Sequence, residues 1–322
     1  MEDIITIGDS TEDVFLKVEE AKVHCSRDKQ NCQLCFTYAS KIPVKRLDRL
    51  IGGNSSNAVI GSSRLGLKSA LYTEIGDDLT GKRIIKILKE NKVGTKYVKI
   101  NIKTSTNYSV VINLGAERTI LIYHEKRVYK LPRFDKSKWI YLSSMGKSCD
   151  KIYSDLVSHI RKNKIKLAFN PGTHQINQGV KKLNSILKLT TVLCLNKEEY
   201  QELLKNKSSD YKILLKEMYK LGPKICVLTD GSRGACVYDG SEFYSCKIFD
   251  VPVVERTGCG DSFFIAFVCA LYYGNEIKEA MRWGIANSAS VVQYIGSYEG
   301  LLNLNGMKRY CDKFKHIKCV KI

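Results

Sequence analysis

Glu255-Arg256-Thr257-Gly258-Cys259-Gly260-Asp261-Ser262-Phe263 is the most informative stretch of the chain. Its two glycines bracket one small residue directly before a strongly apolar run. Glycine lets the backbone bend so that successive N–H groups point at one spot. A helix N-terminus adds its own free N–H groups and a partial positive charge. The pattern therefore predicts a helix over 262–273 that begins at an anion hole made by Gly258, Cys259 and Gly260. Asp261 stands beside that hole, where a carboxylate is repelled by phosphate unless a role offsets the repulsion. Accepting a proton from an attacking hydroxyl is such a role. A bare Gly-x-Gly-Asp is more often only a capped helix start, so the surrounding pattern has to decide.

Upstream, the chain alternates regularly. A strand over 139–142 precedes a helix over 152–163. A strand over 166–170 precedes a helix over 179–187. A strand over 191–195 precedes further helices and the strand Ile225–Thr229. Such alternation predicts parallel βαβ units in a sheet covered on both faces. Ligands then bind at the carboxyl ends of the strands, which is where the glycine motifs fall. Nearer the start, Ile4-Ile5-Thr6-Ile7 reads as a short strand ending at Gly8. A helix over 54–65, a strand over 70–73 and a helix over 80–91 follow. From 96 to 124 the pattern turns to strands, with a hairpin whose turn is Gly115-Ala116-Glu117-Arg118.

Gly52-Gly53-Asn54-Ser55-Ser56-Asn57 is a second glycine-led turn into a helix. Its asparagines can donate and accept hydrogen bonds, which suits a polyhydroxy ligand, though Asn and Ser also serve as plain N-caps. Gly76-Asp77-Asp78-Leu79-Thr80-Gly81-Lys82-Arg83 nearly fits a P-loop. Arg83, however, stands where that motif needs a hydroxyl for Mg2+, and two aspartates would repel phosphate. A P-loop is rejected.

The 322 residues are 44% hydrophobic and 26% charged, a mix that supports a sizeable core and argues against disorder. Lys and Arg number 52 against 33 Asp and Glu, a net charge of +19. That field favours polyanions, but the lysines are spread along the chain rather than gathered into a basic stripe, so a solvated surface is preferred to a nucleic-acid face. The longest apolar run, 263–273, is too short to span a bilayer. The chain opens acidic, and several of its 12 cysteines sit in apolar runs. These features predict a cytoplasmic protein with reduced thiols and no membrane partner.

With both glycine motifs in view, the chain resembles the ribokinase-like (PfkB-type) carbohydrate and nucleoside kinase family. The first family signature is matched by Gly52-Gly53-Asn54-Ser55-Ser56-Asn57-Ala58, continuing through Arg64-Leu65-Gly66 to Ile75-Gly76-Asp77-Asp78-Leu79-Thr80-Gly81. The second is matched by Thr257-Gly258-Cys259-Gly260-Asp261-Ser262-Phe263. Asn196-Lys197-Glu198-Glu199 resembles the family's Asn-x-x-Glu, and Thr229-Asp230-Gly231-Ser232-Arg233-Gly234 its nucleotide-side strand end.

The resemblance implies one α/β domain over 1–322, with helices on both sides of a Rossmann-like sheet and a small β-sheet lid from 14–50 and 96–124. It implies an ATP- and Mg2+-dependent kinase for a sugar or sugar derivative, with a nucleoside as the other candidate acceptor. Asp261 would be the base, and the backbone of Gly258, Cys259 and Gly260 the anion hole. Asn196 and Glu199 would organise Mg2+ and the phosphates, Glu199 through water. Thr229 and Gly231 would border the nucleotide, with Asn287 near the adenine. Asp13, Gly53, Asn54 and Asn57 would form the acceptor pocket. The lid would exclude water and could join two copies in a homodimer; a need for K+ is left open.

Cys259 replaces the family's usual Ala, keeps the backbone donor and brings a thiol expected to be oxidation-sensitive. Arg256 adds positive charge near the phosphates. His24, Cys25, Cys32 and Cys35 offer a Zn2+ site, with free thiols in a lid loop as the other reading. A fold-sharing protein without turnover, binding a small ligand or nucleic acid, is the alternative of another class; it would be favoured by loss of the base, and Asp261 is present.

Overall fold

The computed structural model describes residues 1–26, 32–115 and 117–322. In chain order the first elements are β1 (Glu2–Ile7), β2 (Thr11–Val18), β3 (Lys22–Cys25), β4 (Cys32–Cys35), β5 (Val44–Gly52), α1 (Asn54–Arg64), β6 (Ser69–Gly76), α2 (Leu79–Glu90), β7 (Val98–Asn101), β8 (Asn107–Leu114) and β9 (Glu117–Tyr123). Then come β10 (Ser137–Leu142), α3 (Tyr153–Asn163), β11 (Lys166–Phe169), α4 (Thr173–Leu187), β12 (Thr190–Asn196), α5 (Lys197–Leu204), α6 (Tyr211–Lys220) and β13 (Ile225–Thr229). The last are β14 (Ala235–Tyr238), β15 (Phe243–Cys246), α7 (Cys259–Tyr272), α8 (Ile277–Val291), α9 (Leu304–Lys313) and β16 (Val320–Lys321).

The large sheet runs β16-β15-β14-β13-β12-β11-β10-β1-β6-β7. Its centre is parallel, as the alternation predicts. Side chains alternate across each strand, and this sorts the core into two layers. Ile5, Ile140 and Leu142 pack with Leu156 of α3, Leu183 of α4 and Tyr200 of α5. Ile4, Trp139 and Tyr141 pack with Phe264 and Phe267 of α7 and Met281 of α8. The result is a three-layer α/β/α domain. At one edge the sheet departs from the expected parallel order: β14, β15 and β16 extend it antiparallel.

A separate four-stranded sheet, β5-β2-β8-β9, stands beside the large one. Strand β2 reaches it from β1 across Gly8-Asp9-Ser10, and β5 leads directly into Gly53 and α1. Asp13 and Gly53, both expected in the acceptor pocket, thus lie close to where the chain passes between the two sheets. The expected lid stretch 96–124 divides: β7 joins the large sheet beside β6, while β8 and β9 join the small one. Residues 27–31 of the other expected lid segment, and Ala116 of the hairpin turn, lie outside the described residues.

The β3–β4 hairpin corrects both readings of the lid cysteines. Its antiparallel register sets Cys25 opposite Cys32, and a disulfide joins them. His24 pairs with Gln33 and Cys35 with Lys22, so the four side chains do not converge: His24 and Cys25 are adjacent in a strand and face opposite sides. Among the described residues no group of three or more His, Cys, Asp or Glu is placed to hold a metal ion. The zinc reading is set aside, as is the expectation that every thiol is reduced. No helix among the described residues is long and apolar enough to cross a membrane.

Candidate active site

Helix α7 begins where the glycine pattern places an anion hole. Gly258 caps it with φ +78°, a left-handed conformation that favours glycine. A Cβ there would also lie 2.4 Å from Cβ of Ser297. Gly260 is the opposite case: a Cβ on it would meet no atom within 4 Å. The space over the first turn is open, a cradle of the kind a phosphate needs. The first helical bond runs from Ser262 N–H to the Gly258 carbonyl at 2.8 Å. The Cys259 N–H makes a long bond of 3.4 Å to the Arg256 carbonyl, so this expected donor is already partly engaged. Burial pushes the Cys259 thiol up to about 12. It stays protonated, and the expected oxidation sensitivity is corrected accordingly.

Asp261, in the first turn of α7, is buried. One carboxylate oxygen, Oδ2, accepts a hydrogen bond of 2.8 Å from Asn57 Nδ2. Burial raises its pKa to about 6, with the Asn57 bond pulling down and the charge of Asp13 pushing up. Asp13, on β2, is also raised to about 6. Burial is again the main cause, Ser109 and Thr11 oppose it by hydrogen bonding, and Glu255 and Glu12 add to it. A Cβ on Gly52 would lie 1.9 Å from Asp13 Oδ2, so only glycine lets β5 pass this close to the carboxylate. Gly53, at φ +88°, packs on the backbone of Asp9, where a Cβ would meet the carbonyl oxygen at 2.5 Å. Asn54 opens α1, half-buried. Asn57, expected in the acceptor pocket, is only 3% exposed and turned to Asp261.

Asn196 and Glu199, expected to organise Mg2+ and the phosphates, form a reciprocal cap at the start of α5. The Asn196 side-chain oxygen accepts from Glu199 N–H, and Glu199 Oε2 accepts from Asn196 N–H, both at 2.8 Å. Burial raises Glu199 to about 7; the Asn196 bond opposes this and Asp261 adds to it. Asn196 ends β12 beside Thr229, its ladder partner on β13. Gly231 follows at φ +49° with open space where a Cβ would point. Asp230 is tied to Arg233 and to the Tyr211 hydroxyl.

Asn287, expected near the adenine, lies inside the fold. It is fully buried, its Nδ2 donates to the Ser262 carbonyl and its Oδ1 accepts from Leu302 N–H. It ties α8 to α7 and to the chain before α9. The P-loop-like stretch is also structural. Asp78 caps α2 through Gly81 N–H and accepts from Thr106, while Arg83 pairs with buried Glu12.

Sequence reasoning passed over three contributors. Glu255 is 2% exposed and accepts from the Thr257 N–H and hydroxyl at 2.9 and 2.6 Å, holding the turn before Gly258. Arg118 of the β8–β9 hairpin lies 3.6 Å from it, and Glu117 meets Arg256 at 3.4 Å, so the hairpin is paired crosswise to the approach to the anion hole. Asp9, buried, accepts from the Tyr129 hydroxyl and Gly146 N–H. Ser297 donates to Asn57. Glu255 opens the stretch that leads to Asp261, and Asp9 follows Gly8 at the end of the first strand; a carboxylate near glycine was the available signal for both. Ser297 had none.

A profile of the pfkB family carbohydrate kinases matches residues 15–303. The ATP-dependent 6-phosphofructokinase of Thermoanaerobacterium thermosaccharolyticum is 24% identical over 96% of this chain and 94% of its own. The nucleoside kinase of Methanocaldococcus jannaschii, an archaeal member of the ribokinase family, superposes with a TM-score of 0.78 at 18% identity, over 97% of this chain and 98% of that one. Arabidopsis thaliana ribokinase, solved with ribose and ATP, gives 0.78 at 19% identity over 96% and 98%.

Proposed function

This chain belongs to the pfkB family of carbohydrate kinases and is a phosphotransferase; from that premise we propose that it moves the γ-phosphate of ATP to a hydroxyl of a sugar or sugar derivative, with Asp261 as the base. The observation that carries the reading is a buried carboxylate, Asp261, at an open helix N-terminus, with a second buried carboxylate, Asp13, near enough for its charge to be felt. Asp261 starts α7, Asp13 comes from the small sheet, and the charge of Asp13 bears on Asp261. An acceptor hydroxyl placed between them would be held by Asp13 and deprotonated by Asp261. The N–H groups of the first turn of α7, from Gly258 to Gly260, would face the charge that develops in transfer.

Gly53 and Asn54 would border the acceptor. Thr229 and Gly231 would border the nucleotide, a fit supported by the open space over Gly231. Glu199 suits a hard cation held through water. It is a buried carboxylate pushed towards protonation, with one oxygen anchored on its own helix, and Asn196 orients it. Mg2+, when bound, supplies neutralising charge on the phosphates. The exposed edge of the small sheet supports a homodimer.

Asp261→Asn should leave ATP binding nearly intact and lower turnover by about 10² or more, the usual contribution of a general base. ADP release tested against ribose, fructose 6-phosphate, adenosine and inosine, with and without K+, identifies the acceptor class. Preference for a nucleoside would replace the sugar reading, and unchanged turnover in the variant would remove Asp261 as base.

A further inference from the structure

Behind Asp261 lies a short relay that the reaction as proposed does not use. Asn57, on the first turns of α1, donates from Nδ2 to Asp261 Oδ2 at 2.8 Å. Its other side-chain atom, Oδ1, accepts from the Ser297 hydroxyl at 2.6 Å. Ser297 lies in the loop after α8, 2% exposed, against the glycine that caps α7. A carboxylate can only accept, whereas a serine hydroxyl can donate or accept. Only one orientation of the Asn57 amide therefore satisfies both neighbours: N–H to Asp261 and C=O to Ser297. The reverse would set a carbonyl oxygen against the carboxylate. The carboxylate sets which way round the amide lies, and the Ser297 hydroxyl adds the second anchor, on Oδ1; removing it leaves the amide held at one end only.

We propose that Ser297 is a positioning residue: by fixing the amide of Asn57, it anchors one oxygen of Asp261 and leaves the other turned to the acceptor. The proposal rests on Asp261 being the base. Among the described residues, Asn57 is the hydrogen-bond donor to the Asp261 carboxylate. The titratable groups around it come from every packed element: Asp13 of β2, Glu199 of α5, Tyr141 of β10, Cys194 of β12 and Cys259 of α7. Burial holds the phenol and both thiols protonated, and the carboxylates repel. The Asn57 bond is thus the contact that keeps the base available in its ionised form.

The test follows the carboxyl carbon of Asp261 directly. Protein labelled with 13C-aspartate is titrated by NMR, with Asp261→Asn assigning the signal. In Ser297→Ala the Asp261 midpoint should rise by roughly 0.5–1 unit, the scale of one lost hydrogen bond to an ionised group. Ser297→Cys, with a weak donor of similar size, should fall between. ADP release with the preferred acceptor should show its acid limb moving by the same amount, with KM for ATP unchanged. A midpoint that stays in place in both Ser297 variants overturns the proposal, even if turnover falls, because a merely structural role lowers activity without moving it. Retained turnover in Asp261→Asn would instead remove the base assignment and leave the titration result standing.

Discussion

Asp261, Asp13 and Glu199 come from a helix start, a strand of the small sheet and a second helix start, and each carries a carboxyl that burial pushes towards its neutral form. Their folded pKa values, about 6, 6 and 7, lie above the ordinary 3.8 and 4.5. Between about pH 4 and 7 the folded chain therefore binds more protons than the unfolded one, and stability falls as pH rises through that window. Activity runs the other way: a base with a pKa of about 6 is silenced as pH falls through that value. Asp261→Asn should then raise the Tm at pH 8, a gain of ~1–3 kcal/mol, even as it lowers turnover, and the gain should vanish near pH 4. Thermal melts at both pH values check this. The place of Asp13 came only from the family resemblance, whereas the helix start beside Asp261 was legible, because Asp261 follows a Gly-x-Gly. That Asn287 is a clamp was not, because its partners lie at Ser262 and Leu302, and a buried asparagine looks the same in sequence whether it faces ligand or backbone.

The start of α7 separates two roles that glycine plays. At Gly258 the backbone is left-handed and a side chain would strike Ser297. Gly258→Ala should therefore lower the Tm, with a cost of ~1–3 kcal/mol from the disfavoured backbone and the crowding. At Gly260 a methyl meets nothing, so Gly260→Ala should keep the wild-type melt. It should still weaken ATP turnover by about tenfold or more, because the methyl stands where charge must approach. An intact Gly260→Ala enzyme would show that the phosphates sit elsewhere. Glycines also made the elements readable. Gly53 opens α1, and Gly179, at φ +75°, interrupts α4, which is why the sequence predicts only the part of that helix after it. Strands β14 and β15 escaped because they are short and, unlike the equally short β11, belong to no strand–helix alternation, although Asp239-Gly240 between them is a turn signal.

The two sheets meet along the acceptor side, and the smaller leaves an edge open. On β9, Ile120, Leu121, Ile122 and Tyr123 are 38%, 56%, 63% and 55% exposed. An apolar edge strand of this kind is a template for pairing. The protein should sediment as twice its 36.5 kDa chain mass, and Leu121→Lys with Ile122→Lys should return it to single chains. Sedimentation at several concentrations decides, and a wild-type monomer would exclude the pairing. The crosswise pairs from Glu117 and Arg118 to Arg256 and Glu255 have a related reach, since they fasten the same hairpin to the approach of α7. The contacts around the base also bear on how the protein is made. Asn57 and Asp261 are 204 residues apart, and Ser297 is 240 from Asn57. Synthesis proceeds from the N-terminus, and domains organise as they emerge. A ribosome-bound chain can therefore assemble β1, α1 and β6 early, yet Asn57 meets Asp261 and Ser297 only once the C-terminal part of the polypeptide has been made.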